Sequence, residues 1–143
     1  MSNWWCQAFP WWPWCPKAPP KPITNLKVII RTVTKHHRRS IKVGTLTGTY
    51  PTKRTDGSDL APTDIASVSF FDSLAPNPNV SIGQVPGGSG AFSFDTGALG
   101  PGTHNFTAVT TDTAGDVSAV SNVAVGVIAL AAPVAITDLA FTP

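Results

Sequence analysis

Fourteen prolines and twelve glycines, scattered along 143 residues, restrict this fold more than any other feature. Proline fixes φ and removes a backbone donor, and glycine weakens helix interiors, so little room is left for helices. Hydrophobic residues are 42% of the chain and charged residues 13%, which is enough apolar material to bury a core. The length suits one globular domain with an arm. β structure broken by many turns is the expected architecture. No apolar run is long enough for a membrane-spanning helix.

The start of the chain reads M-S-N-W-W-C-Q-A-F-P-W-W-P-W-C-P-K. All five tryptophans stand here, at Trp4, Trp5, Trp11, Trp12 and Trp14, with Phe9 among them. Pro10, Pro13 and Pro16 interrupt any helix or ladder. The segment lacks the charged start, apolar run and cleavage site of a secretory signal, so no export is expected. From Cys15 the chain continues P-K-A-P-P-K-P, which reads as a stiff polyproline-type spacer holding the arm away from the domain.

Burying five indoles at ~200 Å² each gains about 25 kcal/mol at ~25 cal/mol per Å². Ordering about twenty residues costs at least as much. Folding alone is therefore close to neutral, and clustered exposed indoles form a patch that calls for a partner. Trp4, Trp5, Phe9, Trp11, Trp12 and Trp14 are accordingly expected to bind another protein or a neighbouring copy. Folding back over one end of its own domain is the plainer alternative. Cys6 and Cys15 are open to three readings: an intrachain bridge closing a short loop, bridges to another chain, or free thiols in a reducing cytosol. A bridge acquired after assembly or lysis is the preferred one. Zinc is not expected, because no second ligand pair matches the two cysteines.

Beyond the spacer, short β-branched and aromatic segments alternate with Gly, Pro, Asn and Asp. Seven strands are expected, near residues 26–34, 41–49, 66–71, 79–84, 92–95, 105–111 and 117–128. In the third, Ala66, Val68 and Phe70 alternate with serines to present one apolar face. In the seventh, Val123, Val125 and Val127 are in step. The domain organisation is an arm and spacer at 1–22, a β-sandwich at 23–128 and a C-terminal extension at 129–143, which would add a strand to a neighbour or to its own sheet edge.

The string G-P-G-T-H-N-F-T-A-V-T-T-D-T-A-G-D-V-S-A-V-S-N at 100–122 resembles the closing hairpin of bacterial immunoglobulin-like domains, whose pattern runs G-T-H-x-F-T-A-x-A-x-D-x-A-G-N-x-S. A-S-V-S-F-F-D at 66–72 and G-A-F-S-F at 90–94 are similar to that family's third and fifth strands, so the likeness covers about 23–128. Fibronectin type III domains are a close second resemblance. The implied fold is all-β, a seven-stranded immunoglobulin-like sandwich with an extended Trp/Pro/Cys-rich arm. Two departures stand out: no tyrosine occupies the sixth strand, and neither Cys nor Trp lies inside the domain. Gly115 is expected to supply the positive φ of the hairpin turn, with Asp112 bonding back to the turn backbone.

All ten Lys and Arg fall between Lys17 and Arg54, and all eight Asp between Asp56 and Asp138, with no Glu. Self-pairing between the two halves is the favoured reading; head-to-tail joining of copies and an acidic partner are the others. The candidate basic patch is Lys27, Arg31, Lys35, Arg38, Arg39 and Lys42. Only Tyr50 is aromatic between residues 27 and 54, so nucleic acid is not expected as a partner. Asp56, Asp59 and Asp64 are oxygen ligands of the kind Ca²⁺ takes, but without EF-hand spacing they read as solvated loop carboxylates. His104 opens a strand with no evident partner. No nucleophile elbow or phosphate loop is present: G-G-S-G at 87–90 lacks the Lys.

A non-enzyme without metal or cofactor is expected. The resemblance implies a structural accessory of a tailed-phage particle: a decoration, cement or neck/tail adaptor. It would be made in the host cytoplasm and would bind other virion proteins or its own copies. The alternative is a membrane or cell-surface binder, since F-P-W-W-P-W at 9–14 resembles tryptophan-rich antimicrobial peptides. Those peptides place cations among the Trp, and here the first is Lys17.

Overall fold

The computed structural model describes residues 15–35 and 39–130. Seven strands follow in order: β1 (Lys27–Lys35), β2 (Arg39–Thr49), β3 (Ile65–Asp72), β4 (Gly83–Pro86), β5 (Ala91–Leu99), β6 (Gly102–Asp112) and β7 (Ala124–Ile128). One 3-10 turn, Pro62–Asp64, precedes β3. All pairings are antiparallel. They build a three-stranded sheet of order β1-β2-β5 and a four-stranded sheet of order β4-β3-β6-β7. Among the described residues, the expectation of an all-β fold with seven strands in two layers therefore holds.

The core lies between the sheets. Val68 and Phe70 on β3, Phe106 and Ala108 on β6, and Leu46 on β2 are fully buried, with Phe92 from β5 beside them. The Phe70 ring stacks on Phe94 at 4.6 Å and meets Phe92 at 5.6 Å, adding aromatic geometry to simple burial. Period-two alternation makes this possible, because residues 68 and 70, and 106 and 108, share a face.

Four expectations need correction. A register shift between Ile65 and Ser67 turns Ala66 outward and puts Ile65 into the core instead. The fourth strand starts at Gly83, not near residue 79, because Val80 N–H closes a turn onto the Asn77 carbonyl. The seventh is confined to Ala124–Ile128, and Val123, Val125 and Val127 point outward, while Ala124, Gly126 and Ile128 face in. Before it, residues 117–123 form a strap in which every third residue, Ser118 and Ser121, then Ala124, turns inward. The Ser118 and Ser121 hydroxyls accept from Thr110 N–H and Ala108 N–H, while their own N–H groups donate to the carbonyls of the same two residues. Serine oxygens thus replace ladder carbonyls, and the strap takes the three-residue period of an extended, polyproline-like chain.

The fourth correction concerns the spacer. Residues 18–22 do not stand off; Pro20 is buried and bridges to Arg54, Lys21 N–H donates to Lys53 O, and Thr55 N–H donates to Pro19 O. Its carbonyls remain acceptors although its prolines lack donors, so it lies along 53–55 through one isolated antiparallel bridge. Asn122 then fastens the entry to β1: its amide oxygen accepts from Leu26 N–H at 2.9 Å, and its Nδ2 donates to Leu26 O at 3.0 Å.

Candidate functional site

The best-defined polar constellation joins residues 17–20 to the sandwich. Arg54 is buried, and its Nη1 donates to Asp112 Oδ2 at 2.7 Å and to the Ala18 carbonyl at 2.8 Å. Its Nη2 lies 3.5 Å from Asp64 Oδ2, which also pairs with exposed Lys17 at 3.8 Å. One guanidinium therefore ties the Ala18 backbone, the turn before β3 and the end of β6 together, a use that suits its fixed fork of donors. Burial works against its charge, but the hydrogen bond and charge of Asp112, then those of Asp64, outweigh burial and hold the Arg54 pKa above its ordinary value. Burial likewise pushes the Asp112 carboxyl up. The Arg54 hydrogen bond and the N–H groups of Asp116 and Ala114 more than offset this, and its pKa lies below the usual carboxylate range.

Asp112 also closes the hairpin turn as expected. Its Oδ1 accepts from Ala114 N–H and Asp116 N–H, both at 2.9 Å, and Gly115 adopts φ +91°. Asp56, Asp59 and Asp64 have separate partners: Ser58 for Asp56, Lys53 at 2.6 Å for Asp59, and Arg54 with Lys17 for Asp64. Self-pairing of the two charge blocks is thus realised around Lys53 and Arg54.

Of the candidate basic residues, the three whose side chains are described do not share one face. Lys27 and Arg31 project from the outer face of β1, where Arg31 Nη2 donates to Thr45 Oγ1. Lys42 pairs across from Thr32 and bonds its hydroxyl, which places it on the opposite face of the same sheet. Lys35 and Arg39 close the β1-β2 ladder; their side chains, and Arg38 altogether, lie outside the described residues. Among the described residues, no carboxylate pairs with Lys27, Arg31 or Lys42. Trp4, Trp5, Cys6, Phe9, Trp11, Trp12 and Trp14 also lie outside the described residues, and with them the pairing proposed for Cys6 and Cys15. Cys15 itself is half-buried, in a shallow recess shared with Arg54, Asp56 and Ser58.

His104 has the partner that the sequence reading missed. Its Nδ1 lies 2.7 Å from Asp72 Oδ2, its Nε2 lies 3.0 Å from the Gly100 carbonyl, and both side chains are buried. Burial lowers the imidazole pKa, but the Gly100 carbonyl and then Asp72 raise it above the ordinary value. An imidazolium donates to both acceptors at once. Because both ring nitrogens are engaged within the protein, this His-Asp pair offers none to an outside molecule and serves as a clamp between the β5-β6 corner and the end of β3. A signal was present: Asp72 continues the inward series 68-70-72, and His104 the series 104-106-108.

No family model matches the chain, and no curated protein or solved structure does either.

Proposed function

We propose that this chain is a non-enzymatic structural accessory of a phage particle, an immunoglobulin-like module docked through its tryptophan-rich arm and serving as a decoration, cement or neck/tail adaptor. The strand order supports the immunoglobulin-like part. β1-β2-β5 faces β4-β3-β6-β7, so the short fourth strand joins the sheet of the third, sixth and seventh, an order that favours the fibronectin type III variant over the constant-type immunoglobulin one.

The observation that carries the docking role is the arm root. A tether meant only to link would be free of the domain, whereas residues 18–22 are hydrogen-bonded to 53–55 and held by the buried Arg54. Residues 18–22 thus form a fixed root, and a fixed root would reduce the entropy lost when the indoles of Trp4 to Trp14 wedge into a partner. Cys6 and Cys15, bridged, would restrict that segment further.

The test compares the full chain with a variant in which Trp4, Trp5, Trp11, Trp12 and Trp14 are all serine. Particles released on lysis of the producing cells are banded on a density gradient and their proteins identified by mass spectrometry. The reading expects the native chain in the particle band at fixed stoichiometry and the variant in the soluble fraction. Absence of the native chain from the band overturns it, and pelleting of the chain with phosphatidylglycerol vesicles instead favours the membrane alternative.

A further inference from the structure

The segment from residue 117 to 130 is turned inside out relative to its composition. Its small residues, Ser118, Ser121, Ala124 and Gly126, are buried, while Val117, Val120, Val123, Val125, Val127 and Leu130 are each 52–81% exposed. The strap delivers the first three valines by its three-residue period, and β7 delivers the next two by its two-residue period. Together they leave an aliphatic series exposed along residues 117–130, a ridge that follows the chain. No charged residue occurs between residues 117 and 137. The outward positions of β6 beside the ridge, Thr103 and Asn105, which pair with Val127 and Val125, are also uncharged.

We infer that this ridge is a self-association surface, on which a second copy of the chain packs its own ridge across a two-fold axis. Three observations select that occupant. The exposed area of these six residues is on the order of 500 Å² per copy, so a pair that covered all of it would remove roughly 1,000 Å² from water, the lower bound for a specific interface. An isologous contact sets the same patch against itself, which requires a surface that does not repel its copy, and this one is free of charge. The outer face of β1 makes the contrast: there Lys27 and Arg31 flank exposed Ile29, and like charges oppose self-packing. β7 carries no such guard. The inference concerns a face remote in sequence from the arm and holds however the arm docks.

The experiment measures the mass of three full-length proteins by sedimentation equilibrium: the native chain, the double variant V125K/V127K, and the variant with all five tryptophans replaced by serine. Both lysines enter at exposed positions, and circular dichroism with thermal melting checks that the fold is retained. The native chain is expected as a dimer of twice 15.0 kDa. Dimerisation is expected at least roughly tenfold weaker in V125K/V127K, where four ammonium groups would meet at the interface, and unchanged in the tryptophan variant. A monomeric native chain overturns the inference. Association lost in the tryptophan variant but kept in V125K/V127K overturns it too, by placing the contact on the arm. Loss in both assigns the ridge to a neighbour's arm, which also overturns ridge-to-ridge packing.

Discussion

Arg54 Nη1 lies 2.7 Å from Asp112 Oδ2, with the two side chains 4% and 0% exposed. The pair is the hinge-pin of the molecule, because the same guanidinium holds the Ala18 carbonyl and the same carboxylate closes the β6 turn. Removing one member leaves the other charge buried without a partner. R54M is expected to cost about 3–5 kcal/mol in urea unfolding, and R54M/D112N substantially less than the sum of its parts, since asparagine still accepts the turn N–H groups. The same variant should free the arm root, read as faster tryptic cleavage after Lys17. An R54M cost near zero, with unaltered proteolysis, would contradict this account.

The His104-Asp72 clamp makes stability depend on pH in a definite direction. The folded-state pKa of His104 is raised above 6.5, so its contribution is complete below pH 6.5 and is lost as pH rises through the folded-state value. Urea midpoints of the native chain should therefore fall between pH 6 and pH 9. H104Q should be about 2 kcal/mol less stable at pH 6, having lost a charge-assisted bond, and should show a flatter profile over that range. A native profile that matches H104Q would show that the imidazolium contributes nothing.

Gly87 sits where β4 has ended and the chain crosses β3. A Cβ placed there would lie 1.7 Å from the Ile65 carbonyl oxygen, and the Gly87 N–H donates to Ala66 O at 3.0 Å. Backbone, not a flexible side chain, is the obstacle, so one of the two segments must shift. G87A is expected to destabilise the sandwich by about 2–4 kcal/mol, read from chemical denaturation, and to perturb the β3 amide resonances around the Ile65/Ser67 bulge. A G87A protein as stable as the native one would mean that the crossing is looser than described.

The sandwich was legible because strands with one buried face advertise it by alternation: Val68 and Phe70, then Phe92 and Phe94, then Phe106 and Ala108. The D-T-A-G turn was equally plain, since Gly115 must reach positive φ and Asp112 has turn N–H groups within reach. Where side chains replace backbone in the hydrogen bonding, the pattern misled. The strap reads as more strand because its valines recur, yet its serines carry the bonds, and the aliphatic residues end up outside. The spacer was misread for a related reason: proline-rich composition predicts extension correctly but is silent on whether the free carbonyls find donors, here the Thr55 N–H and Arg54. Buried Arg54 had no local signature, because its two hydrogen-bond partners, Ala18 and Asp112, lie 36 and 58 residues away. His104 and Asp72 had one, a polar residue continuing an apolar face at the end of a strand.

Thr110 is fully buried on β6, and its hydroxyl finds no hydrogen-bond partner among the described residues. Its backbone is satisfied, with the N–H bonded to the Ser118 hydroxyl and the carbonyl to Ser118 N–H. An unpaired hydroxyl in an apolar setting costs roughly 1–3 kcal/mol. Valine has nearly the same shape, fills the site without a polar atom and suits a strand at least as well. T110V is therefore expected to raise stability by about 1 kcal/mol and the melting temperature by several degrees. Destabilisation instead would mean that the hydroxyl has a partner, and the first place to look is an ordered water held between β6 and the Ser118 strap.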